Sequence, residues 1–245
     1  MVDSRATYAC VLGTGSPTVV LAAGAGLTSG TWSDIAPKLA SFSRVVTFDR
    51  AGLGRSDPGP APRTPTQIAR ELRSLLRLHE IDGPVVLVGH SMGGVHVLSY
   101  GEQYPEDVAG IVLLDTPPRG FEEARLGLLT EVERQSRTES LSRALARAPE
   151  VVRLEREGAA SDEEWLFPGI DRRLPVFIVA ADAQDFGEVG REEAHRRLWI
   201  SGARSWMSLS DSSHFILAEG SGHMVHYDRQ QLVVDVIRRA ASAIR

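Results

Sequence analysis

The sequence predicts an α/β fold with a mostly parallel sheet, because short apolar runs alternate with longer amphipathic stretches along the chain. About seven of these runs are rich in β-branched residues and have the length of strands. They cover residues 8–12, 18–23, 44–49, 85–89, 110–115, 175–181 and 213–219. The first run is the weakest of them, so we expect it at an edge of the sheet.

Helices are expected between the strands. Helical spacing is clearest in residues 66–81, behind Thr66 as the N-cap. The apolar residues expected on one stripe of this helix are Ile68, Leu72, Leu75, Leu76 and Leu78. Further helices are predicted over residues 32–42, 92–104, 192–200 and 228–244.

Residues 116–173 break this alternation, since the segment is far longer than the roughly 2–6 residues of a usual connection between a strand and a helix. It opens with Pro117 and Pro118, and apolar residues then recur among dense Glu and Arg, with Trp165 and Phe167 among them. The pattern predicts two or three amphipathic helices, and we favour a lid over a pocket above a solvated decoration. We therefore expect one domain, residues 1–245, in which 116–173 form a helical lid inserted after the strand that ends at Asp115.

The composition excludes several classes of protein. The chain has 245 residues, 42% of them hydrophobic and 24% charged, with a formal net charge of −5, as in an ordinary globular domain. This acidity argues against a nucleic-acid partner. Cys10 is the single cysteine, which rules out an internal disulfide and a thiolate metal site. Lys38 is the single lysine and therefore the single candidate for Schiff-base chemistry. No run approaches the ~20 apolar residues of a membrane span and no leader pattern is visible, so we expect a cytoplasmic protein without a membrane partner.

The segment Gly89-His90-Ser91-Met92-Gly93 follows the most strand-like run and precedes a helical pattern. A serine at such a sharp turn is held with its hydroxyl exposed above the sheet, and the small residues two before and two after it prevent clashes. The positive end of the following helix points at the same place. The context predicts Ser91 as a nucleophile.

Three further segments carry recognisable patterns: residues 24–26 followed by Trp32, residues 49–57, and residues 221–223. Together with residues 89–94 they resemble the α/β-hydrolase superfamily, specifically its cofactor-free serine hydrolases of esterase and haloperoxidase-like type. The resemblance spans nearly the whole chain. It implies the α/β-hydrolase fold, a small-molecule substrate and no cofactor. No histidine and carboxylate pattern of a zinc-binding helix is present in the sequence, so we also expect no metal.

A serine needs a neighbouring imidazole as its base, and in this fold the base follows the nucleophile in the chain. His223 lies in a loop rich in Gly and Ser after the last strand, and it matches the Gly-His of the family. His226 is the alternative, more as a packing or substrate contact than as the base. We expect His90 and His96, near the serine in sequence, to be structural.

Two aspartates compete for the third position, since each follows a strand and could fix the tautomer of the imidazole. Asp182 follows the later strand, where many family members carry the acid in a Gly-x-x-Asp turn, but the glycine is missing here. Asp115 follows four apolar strand residues and matches members similar to haloalkane dehalogenases. Its buried charge needs a partner. We favour Asp115 and keep Asp182 as the alternative.

The resemblance also implies an oxyanion hole made of two backbone N–H groups, from Met92 and from Ala25. Ala23 stands where the family has a histidine, which removes one hydrogen bond that would stiffen this turn. We expect Trp32 and Leu27 to wall the acyl pocket, with the core as the alternative place for the Trp32 ring.

These residues predict hydrolysis of a carboxylic ester, thioester or lactone, with an apolar acyl or ring-containing substrate. The alternative within the fold is a carbon–carbon bond hydrolase or a haloperoxidase-like enzyme with the same three residues. A non-catalytic protein that binds a small molecule is the alternative of a different class.

Overall fold

Seven strands form one sheet in the computed structural model, which describes residues 5–161, 167–187 and 191–243. The strands are β1 (Ala9–Leu12), β2 (Thr18–Ala22), β3 (Arg44–Phe48), β4 (Val85–His90), β5 (Val108–Leu114), β6 (Val176–Ala181) and β7 (Ser213–Ala218). Their order across the sheet is β1-β3-β2-β4-β5-β6-β7. β1 lies at an edge and runs antiparallel to β3, and the other neighbours are parallel. The predicted mostly parallel sheet is confirmed.

Helices cover both faces of the sheet, which explains why the central strands are apolar on both sides. One face packs against α2 (Pro65–Leu78), α3 (Met92–Gln103) and α7 (Glu192–Ser205). The other packs against α1 (Ala36–Leu39), α8 (Val225–Asp228) and α9 (Gln230–Ser242). β4 is buried along its whole length between these two cores.

Two predicted helices start at other residues in the structure. α2 begins at Pro65, and Thr64 rather than Thr66 is its N-cap, because the Thr64 side chain accepts from Gln67 N at 3.1 Å. Proline suits the first helical position, where its missing N–H has no acceptor to lose. The helix predicted over 228–244 corresponds to α9, which begins at Gln230, because Arg229 (φ −131°, ψ 49°) separates it from the preceding α8. Residue 244 lies outside the described residues.

The helix predicted over 32–42 is largely wrong. A 3₁₀ turn at Ser29–Trp32 and the four-residue α1 take its place. The helix predicted over 92–104 corresponds to α3, while α7 continues past the predicted end at 200 to Ser205.

The segment between β5 and β6 contains three helices, α4 (Phe121–Gly127), α5 (Glu131–Arg147) and α6 (Glu150–Ser161). α4 and α6 bury side chains, whereas α5 has no buried residue. Residues 162–166, Trp165 among them, lie outside the described residues. Three helices lie within the predicted range of two or three, and their function as a lid stays a prediction.

Candidate active site

Ser91 occupies a sharp turn between the end of β4 and the start of α3. Its backbone angles, φ 52° and ψ −127°, lie in a region that non-glycine residues rarely adopt. The turn is possible because its neighbours lack a Cβ. A Cβ on Gly89 would lie 2.4 Å from the carbonyl oxygen of Gly93, and one on Gly93 would lie 2.3 Å from that of Ala22. The local sequence therefore forces Ser91 to stand at the carboxyl edge of the sheet.

Asp115 and His223 are joined by a hydrogen bond of 2.7 Å, in which Nδ1 of the imidazole donates to Oδ2 of the carboxylate. Asp115 directly follows β5 and is almost completely buried, while His223 belongs to the loop after β7 and is partly exposed. With the proton on Nδ1, Nε2 is the ring nitrogen left to accept a proton. Of the two aspartates considered from the sequence, Asp115 is the one that contacts His223.

The second oxygen of Asp115 is also fully engaged. Oδ1 accepts from the indole Nε1 of Trp199 at 2.7 Å and from the backbone N–H of Ala181 at 2.9 Å. These donors stabilise a carboxylate that would otherwise be buried without compensation. The sequence did not predict a role for Trp199, on α7. It indicated only that a buried aspartate needs hydrogen-bond donors, and not which residues supply them.

Asp182 has a different contact. Its Oδ1 accepts from the backbone N–H of Gly220 at 2.6 Å, and the next residue, Ala183, donates its N–H to the carbonyl of Ser221 at 2.9 Å. On the other side of the loop, Asp228 accepts from Gly222 N at 2.8 Å. Asp182 and Asp228 thus fix the loop that carries His223.

Two buried histidines lie beside His223. His90 Nε2 donates to the backbone carbonyl of His223 at 2.9 Å, and burial, followed by the neighbouring His223 and His226, lowers the pKa of His90 to about 3. His226 Nε2 lies 2.8 Å from Thr31 Oγ1, and burial and then His223 lower the pKa of His226 to about 4. Both imidazoles are therefore neutral near pH 7, and His90 supports the backbone of His223.

Ser91 and His223 line one cavity of about 660 Å³. Three aromatic residues form part of its wall, with Phe121 4.8 Å from Trp199 and 5.5 Å from Phe186 between ring centroids. Much of the remaining lining comes from residues 117–160, which include α4, α5 and α6. Within the described residues no hydrogen bond joins the Ser91 hydroxyl to His223. Such contacts are often long before a substrate is bound.

The expectation that Trp32 and Leu27 wall this cavity is wrong, since neither is part of its lining. Trp32 is fully buried in the core under α1 and α9, with its ring centroid 4.7 Å from that of His226. Leu27 packs against the same core. Apolar side chains such as these occur both in pocket walls and in the core below them, and the sequence does not distinguish the two positions.

The turn after β2 lies against Ser91 and carries Ala25 into the cavity, where Ala25 and Met92 are both part of the lining. A Cβ on Gly24 would lie 3.2 Å from Cβ of Ser91, so the two turns are in contact. Arg50 donates to the carbonyl oxygens of this turn, from Nη1 to Ala23 at 2.6 Å and from Nη2 to Gly24 at 2.9 Å. The two residues whose backbone N–H groups the resemblance implies for an oxyanion hole thus line the same cavity as Ser91.

Comparison with known proteins agrees with this architecture. The family model described as the alpha/beta hydrolase family matches residues 19–236. The chain belongs to the alpha/beta hydrolase family.

A curated relative covers most of this alpha/beta hydrolase. The uncharacterized protein YqjL of Bacillus subtilis is 28% identical over 227 residues, which cover 90% of this chain and 82% of that protein. Among solved structures, a serine hydrolase involved in carbazole degradation (the CarC enzyme) superposes with a TM-score of 0.72 at 19% identity, covering 99% of this chain and 96% of the other. Est816, an N-acyl homoserine lactone degrading enzyme, superposes with a TM-score of 0.69 at 18% identity, covering 96% and 97%. At these identities the two structures establish the fold.

Metal binding and membrane spans were the two other features that the sequence argued against. Residues 5–161, 167–187 and 191–243 contain no group of three or more His, Cys, Asp or Glu side chains that could hold a metal ion. Over the same ranges, every helix is too short or too polar to cross a bilayer.

Proposed function

We propose that this alpha/beta hydrolase cleaves a carboxylic ester, thioester or lactone through an acyl-enzyme on Ser91. The observation that carries the proposal is the hydrogen bond between Asp115 and His223 at the cavity into which the strained Ser91 turn projects. A nucleophile, a base and a group that orients the base are the parts that acyl transfer requires.

In the first half of the reaction, Ser91 Oγ attacks the carbonyl carbon of the substrate while His223 Nε2 takes the hydroxyl proton. Asp115 keeps the proton of the imidazole on Nδ1 and stabilises the imidazolium that forms. The imidazolium then gives its proton to the departing alcohol, thiol or lactone oxygen. The products of this half are the protonated leaving group and an ester between the acyl group and Ser91.

The negative charge that develops on the carbonyl oxygen needs donors that already point at it. We assign this role to the backbone N–H groups of Met92 and Ala25, as the family resemblance implies. Met92 is also the first residue of α3, so the positive end of that helix adds to the stabilisation.

In the second half, a water molecule gives a proton to His223 Nε2 and attacks the acyl carbon, and collapse of the intermediate returns the proton to Ser91 Oγ. The carboxylic acid leaves and the enzyme is regenerated. No cofactor enters this balance. Residues 116–173 act in our proposal as a lid that shields these steps, since α4, α5 and α6 supply much of the cavity lining.

The aromatic wall of Phe121, Phe186 and Trp199 supports an apolar acyl group or a ring as the part of the substrate that enters the cavity. Similarity to a lactone-degrading enzyme supports ester-type bonds as the target, and similarity to a serine hydrolase of carbazole degradation supports a serine mechanism. A substrate of this kind is a small molecule.

The test compares purified wild-type protein with Ser91→Ala in turnover of p-nitrophenyl acetate and butyrate and in covalent labelling by a fluorophosphonate. Both activities should disappear in Ser91→Ala. Ser99→Ala is the matched control, because Ser99 is buried on the same helix and contacts Gln103 instead of the cavity. Labelling that persists in Ser91→Ala would overturn the proposal.

Further assays of the purified protein distinguish ester hydrolysis from the alternative functions. Product analysis with a 1,3-diketone and with bromide plus peroxide tests carbon–carbon cleavage and halogenation. A ligand held tightly without any burst of p-nitrophenol indicates a binding protein.

A further inference from the structure

A buried ion pair connects Arg50, in the segment after β3, with α6 of the inserted segment. Arg50 donates from Nε to Glu155 Oε1 at 2.8 Å and from Nη2 to Glu155 Oε2 at 2.9 Å. Both residues are almost completely buried, at 4% and 3% exposure. Burial by itself raises the pKa of Glu155, but the Arg50 guanidinium outweighs it and holds that pKa below its ordinary value. Glu155 is therefore ionised, and the two side chains form a bidentate ion pair.

The same guanidinium binds two carbonyl oxygens of the turn after β2, those of Ala23 and Gly24. Gly24 C=O and Ala25 N–H belong to one planar peptide unit, in which the two bonds point in opposite directions. A donor that fixes the carbonyl oxygen of Gly24 therefore fixes the direction of the Ala25 N–H. It also polarises the peptide, which makes that N–H a stronger donor.

We propose that Arg50, held by Glu155, is the positioning residue of the oxyanion hole. The proposal rests on the proposed function, because it concerns the backbone N–H of Ala25 at the same Ser91 site. Ala23 replaces a histidine that the family uses beside this turn, and Arg50 supplies the hydrogen bonds that such a loss removes. Since Glu155 belongs to α6, the oxyanion hole is complete only when this helix is docked.

Glu155 lines the cavity, but Arg50 is not among the lining residues, which separates a positioning role of Arg50 from a substrate contact. Its effect should therefore appear in the rate of the chemical step. One hydrogen bond of the turn does not depend on it, because Leu27 N also donates to the Gly24 carbonyl at 3.2 Å. We accordingly expect a smaller loss than the removal of an oxyanion donor would cause.

The main variant is Arg50→Met combined with Glu155→Leu, because replacing both partners leaves no buried charge uncompensated. On p-nitrophenyl acetate, kcat should fall about 30-fold while KM changes by less than about twofold. Affinity for a trifluoromethyl ketone, whose hemiketal oxyanion fills the hole, should fall in the same proportion. Affinity for the matching methyl ketone should not change.

Arg63→Met combined with Glu71→Leu is the matched control. Arg63 is buried and Glu71 partly buried, with Arg63 Nη1 2.7 Å from Glu71 Oε1, which also accepts from Arg5 Nη2 at 3.2 Å. Among the described residues, no hydrogen bond connects the side chain of Arg63 or Glu71 with the turn at residues 23–25. It should keep the wild-type kcat and the wild-type preference for the trifluoromethyl ketone. Arg50→Lys is the second variant, in case the double variant does not fold. It keeps the charge but cannot hold two carbonyl oxygens and a carboxylate together, so kcat should fall at least about tenfold.

The outcomes separate this inference from the proposed function. If the wild type hydrolyses no ester, the proposed function fails, and the Ala25 amide signal in a ¹H–¹⁵N NMR spectrum still tests the positioning. That signal should shift in the Arg50 variants and stay in place in the Arg63 control. The inference would be overturned if the Ala25 signal stayed in place in the Arg50 variants. It would also be overturned if these variants lost affinity for both ketones equally and kept the wild-type kcat. Arg50 would then be a structural residue.

Discussion

Trp199 donates its indole N–H to one oxygen of Asp115 at 2.7 Å, while the other oxygen of that carboxylate accepts from His223 at the same distance. The tryptophan therefore sets the orientation of the carboxylate that orients the base. Because Asp115 is buried, water cannot take over a donor that is removed.

Trp199→Phe should lower kcat/KM for p-nitrophenyl acetate by about tenfold, which corresponds to roughly 1.4 kcal/mol. The phenyl ring keeps the aromatic wall of the cavity and removes only the N–H donor and part of the ring volume. Steady-state kinetics measures the change. Trp206→Phe is the control, since Trp206 is equally buried but its Nε1 has no hydrogen-bond partner among the described residues. Equal losses in the two variants would attribute the effect to packing.

Substitution of the two aspartates considered from the sequence should affect kcat to very different extents. Asp115→Asn should reduce kcat by about 10³-fold or more, because an amide that donates to Nδ1 selects the wrong imidazole tautomer. Asp182→Asn should reduce it by less than about tenfold, because its carboxylate contacts Gly220 N in the loop and not the imidazole. Single-turnover kinetics of both variants checks this order. A reversed order would move the acid to Asp182.

Local patterns predicted the sheet and the turn at Ser91, whereas contacts between distant segments could not be predicted. The glycines that permit the turn are two residues from Ser91 on either side, so the sequence displays them together. His223 and Asp115 are 108 residues apart, and only the shared carboxyl edge of the parallel strands made their meeting predictable. Arg50 and Glu155 are 105 residues apart in segments of ordinary composition, and no periodicity indicates that they pair.

The same reasoning explains the error at Trp32. An aromatic residue after the second strand suits a pocket wall and a core equally well, and the position of the short 3₁₀ turn at Ser29–Trp32 decides between them. That turn buries the indole in the core, where its ring lies against His226.

Ala160, on α6, is an exposed part of the cavity lining and offers a test of the role of the insert. Ala160→Phe should reduce the ratio of kcat/KM for the butyrate ester over the acetate ester, by about fourfold for each methylene that is excluded. The ratio is measured with the two p-nitrophenyl esters. Ala146→Phe, on the exposed face of α5 and not part of the lining, should keep the wild-type ratio. An unchanged ratio in Ala160→Phe would place the acyl group away from α6.

His96 is fully buried on α3, and neither ring nitrogen has a hydrogen-bond partner among the described residues. Burial, followed by the nearby Arg50, lowers the pKa of His96 to about 3. The unfolded chain takes up a proton here below its ordinary pKa of 6.5, whereas the folded chain does so only near 3. The free energy of unfolding contributed by this group is therefore fully present above about pH 6.5 and declines as the pH falls toward the folded value.

His96→Leu should make the fall in unfolding free energy between about pH 6 and pH 4 shallower, by up to about 1.4 kcal/mol per pH unit. The substitution removes a group that binds a proton only when the chain unfolds, and it also removes two buried nitrogens without partners. Urea unfolding at a series of pH values measures the slope. His214→Gln, at an exposed position on β7, controls for the loss of an imidazole as such. A slope in His96→Leu equal to that of the wild type would mean that His96 titrates alike in the folded and unfolded chain, and the acid sensitivity would then come from His90 and His226, whose pKa values are also lowered.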